Sequence, residues 1–313
     1  MAGGRALSHY LPAERLHFAW DNSLSPVLEV EAGAEITIET WDASGHAIQR
    51  NWTSDDLPKR VRKPGVGHAL TGPIAINGAK PGQTLVVEIQ EVRPAAWGWT
   101  SFGPQRGLLP EDFPHHFLQI WDLQENNAAR GMRGVSVPLA PFCGVMGLAL
   151  AEPGQHSTIP PRRVGGNMDV RQLTAGTTLY LPIEVEGALF SVGDAHGAQG
   201  DGEVCITAIE MDSTTTLRLS LSDTPVREPQ LQLLQPPTNI GGAYHGCMAH
   251  APDLMEAAKN ATRYLVEWLC QTTHLDADQA YVLASVCAEL RISQIVDAPN
   301  WTVTAFFPLS VLQ

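Results

Sequence analysis

The 313-residue chain has no run of 18 apolar residues, and that absence leaves no segment able to cross a bilayer as a helix. It also has no basic stripe. Its 33 acidic residues outnumber 20 basic ones, the net charge is −13, and no Lys/Arg cluster stands ready to neutralise phosphates. Neither a nucleic acid nor a membrane is therefore expected as a partner. The opening text, MAGGRALSHYLPAERL, lacks an apolar core of signal-peptide length, so the expected compartment is the cytoplasm.

Paired thiols are missing too. Cys143, Cys205, Cys247, Cys270 and Cys287 are odd in number, lie far apart and form no CxxC pair, which argues against a disulfide framework or a thiolate zinc site. There is no GxSxG elbow and no HExxH pair. Asp194-Ala-His196 is not followed by an acid at position 198, as a two-metal ureohydrolase pattern would require. A cysteine nucleophile stays open only at Cys143, in a Pro-Phe-Cys-Gly turn, and no acid/lysine partner pattern surrounds it.

What the chain does have is turn chemistry: 28 Gly and 23 Pro point to many short elements rather than long helices. Apolar and polar residues alternate from Leu28 to about Trp41, again at Leu85, Val87 and Ile89, and in 179–190, 204–211 and 217–221, so each reads as a strand. Residues 94–165, rich in Pro, Gly and aromatics, read as a small inserted β module. Behind Pro252 and Asp253, the spacing of Leu254, Ala258, Ala261, Leu265 and Leu269 predicts a helix. A second helix is expected from Asp276 through Tyr281, Leu283 and Cys287, and Trp301, Val303 and Ala305 read as a closing strand. The expected fold is thus mainly β. A β-sandwich body of residues 1–93 and 166–235 holds a small inserted β-barrel module at 94–165 and is followed by an α/β element at 236–313.

The densest chemical signal is Gly193 to Glu203, GDAHGAQGDGE, with three carboxylates, an imidazole and an amide among four glycines. If Asp194 and His196 are extended, their i, i+2 spacing sends both side chains to one face of a strand. A Gly-rich hairpin with acids facing water is the plainer alternative. Asp169 in GGNMD could project from a tight loop into the same space, although Asn and Asp beside glycines are also ordinary turn residues. His68 precedes a Thr-Gly-Pro turn, and a lone His is more often structural. Asp42 ends the first strand, where it could equally cap a turn.

These segments resemble the acetamidase/formamidase family, and the resemblance spans nearly the whole chain. Its centre is "PPRRVGGNMDVRQLTAGTTLYLPIEVEGALFSVGDAHGAQGDGEVCITAIE". "LHFAWDNSLSPVLEVEAGAEITIETWDASG", "HALTGPIAINGAKPGQTLVVEI" and "AYVLASVCAELRISQIVDAPNWTV" are similar to the flanking stretches. The chain departs from the family text at His245, Gly246 and Cys247, read as a surface loop or a substrate entrance, and at Glu289, read as a helix end. The resemblance implies a β-sandwich core with a small barrel and a C-terminal α/β piece, a small amide substrate and a homo-oligomer.

Amide hydrolysis needs an activated water, a stabilised oxyanion and a proton for the departing nitrogen. Asp169, Asp194 and His196 are the expected ligands of a divalent ion, zinc first, with manganese, iron or calcium as alternatives. His68 is a further ligand or a base, and Asp42 lies close by. Glu203, beside apolar Val204, is the expected acid/base, its pKa raised. Asn167 and Gln199 would hold the amide, and Asp201 would orient a ligand histidine. A non-catalytic metal or small-ligand binding β-sandwich protein, or an iron-dependent oxygenase, would use similar residues.

Overall fold

A computed structural model describes residues 8–60, 67–108, 110–124, 127–133, 136–234, 242–275, 277, 280, 284, 288–309 and 312. Two large sheets carry the fold. The first has nine strands in the order Ser8–Leu11, Ala34–Thr40, Ser213–Ser222, Thr84–Pro94, Thr177–Pro182, Gln230–Leu233, Tyr244–Ala251, Trp301–Pro308 and Glu289–Gln294. The second runs Gly165–Asn167, Phe142–Gly147, Phe190–His196, Glu210–Met211, Trp97–Phe102 and Phe117–Asp122, and Leu70–Ile76 also pairs with Phe190–His196.

Alternation decides how these strands are used. Along Ala34–Thr40 and Ser213–Ser222 every second side chain is buried, so Ile36, Ile38, Leu217 and Leu219 face inward. They meet Ile74, Ile76, Phe190 and Val192 of the second sheet in one apolar core, as a sandwich requires. Phe142–Gly147 and Phe190–His196 are instead buried along their whole length, so these two strands have a covered face left over for polar groups.

The alternating text from Leu28 to Trp41 is two strands in two sheets. Leu28–Val30 pairs with Ile74–Ile76 in the second sheet, while Ala34–Thr40 pairs with Ser213–Leu219 in the first. Between them Gly33 takes φ +91, a left-handed turn that a side chain would strain. The stretch 179–190 divides likewise: Thr177–Pro182 lies in the first sheet and Phe190 opens a strand of the second. In 204–211 only Glu210–Met211 is strand. Val204 O instead accepts from Leu108 N–H, and Thr207 Oγ1 donates to Ser101 O and accepts from Ser101 N–H.

Within 94–165, read from sequence as an inserted module, Trp97–Phe102, Phe117–Asp122 and Phe142–Gly147 all belong to the second sheet. The C-terminal strands similarly extend the first sheet, through pairing of Gln230–Leu233 with Tyr244–Cys247. Helix Leu254–Thr272 starts at Asp253, whose side chain accepts from Glu256 N–H, and buries Ala257, Ala261, Leu265 and Leu269 against those strands. Most of the second helix expected from Asp276 lies outside the described residues. His245 is a buried strand residue stacked on Trp268 at 3.8 Å, neither loop nor entrance, and Glu289 opens a strand rather than closing a helix. No helix among the described residues is long and apolar enough to cross a membrane.

Candidate active site

Four adjacent strands of the second sheet place Phe142, His196, Glu210 and Trp99 in one cross-strand row: Phe142 pairs with His196, His196 with Glu210, and Glu210 with Trp99. Residues paired in this way share a face of the sheet. The row therefore sets an imidazole between an aromatic ring and a carboxylate. His196 Nε2 lies 3.2 Å from Glu210 Oε2 and 3.4 Å from Asp194 Oδ1, while the Phe142 ring meets the imidazole edge-on at 5.0 Å.

Three further carboxyls converge from loops. Asp169 follows the strand Gly165–Asn167, Glu203 sits in the turn beyond Gly200, and Asp297 follows the strand Glu289–Gln294. Asp169, Asp194 and Glu203 all hold left-handed backbone, with φ of +50, +56 and +48. Such conformations cost free energy outside glycine and persist where the surroundings impose them. Asp194 thus reaches His196 from a kink, not from the extended strand that the i, i+2 spacing suggested.

The carboxyls and His68 surround a cavity of about 70 Å³. That is far below the roughly 300–1,000 Å³ of sites for drug-sized ligands, so the space admits only a molecule of a few heavy atoms. Gly144 lies directly against the carboxyls and imidazole of the site, where no side chain fits. A Cβ there would lie 2.5 Å from Asp169 Oδ1 and 2.7 Å from His196 Cε1.

Burial and mutual repulsion set the charges. Glu210 is pushed up to about 8 by burial, with the Asp194 carboxylate adding to it. Glu203 is held well above its ordinary range, first by burial and then by Asp297, and Asp169 likewise by burial and Glu203. Burial also opposes ionisation of Asp194, but His68 and His196 outweigh it and hold that carboxyl low. For His196 burial opposes the charge, yet Glu210 and Asp194 together raise the imidazolium well above its usual range.

Buried acceptors face this cavity without partners. Asn167 Oδ1, Asp169 Oδ1, Asp194 Oδ1 and Glu210 Oε2 make no hydrogen bond. Groups in this state are rare in folded proteins and mark places where something binds. Two sets of three at this cavity could take a metal ion, Asp194/His196/Glu210 and Asp169/His196/Glu203, and a third, Asp42/His46/Asp212, lies elsewhere, with the ligand atoms of each set within 4.8 Å of one another. The triple expected from sequence, Asp169, Asp194 and His196, is thereby split between two sets that share His196.

The other expected site residues fall in several places. Asn167 lines the cavity, donating Nδ2–H to Ile159 O and to Asp297 Oδ2. His68 lines it too, its Nε2 4.0 Å from Asp194 Oδ2 and its backbone N–H held by Thr158 Oγ1. Gln199, expected to hold the amide, has its side chain engaged by His196 and by Asp169 O. Asp42 does not reach the cavity wall, which Ala43 forms instead, and it accepts from Ser44 N–H at 2.6 Å as a turn cap. Asp201 pairs with Arg291 rather than with a histidine. Cys143 is buried in mid-strand with its thiol pushed up to about 11 by burial, which keeps it protonated and unfit as a nucleophile.

Sequence reading missed Glu210, Asp297, Gly144 and Trp99. The one available signal was at Glu210, an acid between apolar Ile209 and Met211 in a strand-like run. Asp297 and Trp99 join the site only through sheet pairing and a loop from the far end of the chain.

A mainly β scaffold with a small carboxylate-and-imidazole cavity is the class these features define. The description Acetamidase/Formamidase family matches the chain over residues 8–155 and 149–313, and the chain belongs to that family. It is 26% identical to a formamidase of Methylophilus methylotrophus, across 96% of this chain and 90% of that protein. Its fold matches the crystal structure of an acetamidase from Bacillus halodurans with a TM-score of 0.88 and 29% identity, covering 96% of this chain and 98% of that one. A predicted acetamidase/formamidase from the thermophile Thermoanaerobacter tengcongensis matches with a TM-score of 0.89 and 27% identity, covering 98% of both chains.

Proposed function

We propose that this protein is an amidase that hydrolyses the C–N bond of a small linear amide such as formamide or acetamide, giving a carboxylate and ammonia, and that it needs a divalent metal. Family membership and the relatives' names support the reaction class. The observation that carries the metal is an excess of buried acceptors: Asp169 Oδ1, Asp194 Oδ1 and Glu210 Oε2 make no hydrogen bond, and the one buried imidazole to balance them is that of His196, at 3.2 to 3.4 Å from the last two. Carboxylates so placed are costly unless a cation meets them.

The donor set fits such an ion. Asp194, His196 and Glu210 would hold it from paired strands, with Asp169 beside them, and carboxylate with imidazole suits zinc, manganese or iron(II). When bound, the ion supplies Lewis acidity, polarising a carbonyl and making water easier to deprotonate. Everything else falls to the protein. Glu203, its carboxyl held above the ordinary range by burial and by Asp297, is suited to take a proton from the attacking water and pass it to the amide nitrogen as the C–N bond breaks. Asn167 Oδ1, lacking a partner, offers an acceptor for an amide N–H. His68 faces Asp194 from the half-buried side of the cavity and stands as a second proton carrier.

A homo-oligomer is part of the same proposal. Met255 on the helix and Leu290 and Ile292 on the edge strand of the nine-stranded sheet leave apolar side chains exposed, which a second copy would cover.

The test of the reaction is ammonia release from a panel of amides of increasing size by the metal-loaded protein, without oxygen or reductant. Release from formamide and acetamide supports the proposal. No release from any amide, with metal bound, leaves the binding-protein reading. A requirement for oxygen and a reductant would favour the oxygenase.

A further inference from the structure

We infer that the indole N–H of Trp99 is the hydrogen-bond donor to the carbonyl oxygen of the substrate, and so to the oxyanion as water adds. The inference rests on the amide-hydrolysis reading above and adds a residue to it.

Trp99 stands at the end of the cross-strand row His196, Glu210, Trp99, so its side chain leaves the sheet on the same face as the imidazole and carboxylate. It lines the same small cavity. Its ring is 1% exposed and packs against Ile48, Leu57 and Leu118, none of which offers a side-chain acceptor. Yet Nε1 is buried and makes no hydrogen bond. A buried Trp N–H ordinarily finds a partner, so an unused one beside a cavity signals a group that arrives there.

The other lining groups make the role specific. Four side chains around the cavity carry N–H groups: Arg106 is exposed, His68 is half-buried and faces Asp194, and the two buried ones are Asn167 and Trp99, with both Asn167 hydrogens engaged by Ile159 O and Asp297 Oδ2. What Asn167 leaves free is an acceptor, Oδ1. A primary amide presents the complement: an acceptor oxygen for Trp99 and an N–H for Asn167. As negative charge grows on the carbonyl oxygen among these carboxyls, a fixed dipole donor would add to the Lewis acidity that a bound ion supplies.

Two measurements on the metal-loaded protein test this. Trp99→Phe keeps the ring and removes only the donor, so turnover of formamide should fall by about 10²-fold with thermal midpoint and metal content near wild type. Unchanged turnover in a folded, metal-loaded Trp99→Phe protein would overturn the inference. The second measurement needs neither the variant nor catalysis: the ¹⁵N-indole resonance of Trp99, assigned through its contact with Leu118, is followed in wild type as acetate, the product, is added. A downfield shift that saturates supports the donor role, and a resonance that does not move at saturating acetate overturns it. If no amide is hydrolysed by wild type, the amidase reading fails by itself, while the indole shift still reports whether Trp99 binds an oxygen ligand.

Discussion

His196 donates its Nδ1–H to Gln199 Oε1 at 2.9 Å, and Gln199 is itself held by donating Nε2–H to Asp169 O at 2.7 Å. A backbone carbonyl can only accept, so the orientation of the Gln199 amide is determined, and with it the tautomer of His196. Nδ1 carries the proton and Nε2 is turned toward Asp194 and Glu210. Gln199 would therefore act on a bound metal through His196.

Replacing Gln199 with Ala should release that constraint. Metal affinity is expected to weaken about 10- to 100-fold, the usual effect of losing a group that orients a ligand histidine. Competition with a chromophoric chelator measures it. An affinity equal to wild type would show that Phe142 and the strand alone orient the ring.

Gly144→Ala should be disproportionately harmful. The added methyl would sit 2.5 Å from Asp169 Oδ1 and 3.1 Å from Asp194 Oδ2, so the carboxylates must move by a few tenths of an ångström or more. Turnover is expected to drop about 10²-fold, as for other small misplacements of reacting groups. Kinetics beside circular dichroism would separate this from unfolding.

Glu203→Gln separates acid/base work from metal binding. Gln keeps the shape but cannot pass a proton, so turnover should fall about 10²- to 10⁴-fold while metal content stays near normal. Loss of metal as complete as in Asp194→Asn or His196→Ala would make Glu203 a ligand of the alternative set, Asp169/His196/Glu203.

The metal-free protein should lose stability as pH rises from about 7 to 8; below about pH 7 the buried His245 and His250, both lowered to about 3, contribute stability that grows with pH and oppose the trend. Glu210, raised to about 8, Glu228, raised to about 7, and His196, also raised, all bind protons more tightly folded than unfolded. Their folded-state advantage is complete below the unfolded pKa values and lost as pH climbs through the folded ones. Asp194, held low, has the opposite sign, but its contribution is already complete above pH 5. Thermal midpoints at several pH values above about 7, in chelator, would fall with pH, and saturating zinc would flatten the trend.

Strands and the first helix were legible because burial imposes a period: Ile36, Ile38, Leu217 and Leu219 alternate, and Leu254 to Leu269 recur at helical spacing. Period does not say which sheet a strand joins. The alternation runs straight through Gly33, where the chain leaves one sheet for the other, and the same crossing hid the end of the strand Thr177–Pro182. The site was half legible for the same reason. Asp194, His196, Gln199 and Glu203 announce themselves as neighbours in sequence, whereas Glu210 and Trp99 meet His196 only through strand register, and Asp297 comes from more than a hundred residues beyond Asp169. Asp42 shows the converse, a local pattern that turned out to cap a turn.

The central claim is that a divalent ion held by Asp194, His196 and Glu210 is required for amide hydrolysis. Ammonia release from formamide, measured on one preparation before chelation, after dialysis to remove metal and chelator, and after adding back one equivalent of zinc, manganese or iron(II) per chain, tests it most directly. The account predicts activity, then none, then recovery with at least one ion. Full turnover by protein shown to be metal-free would contradict it.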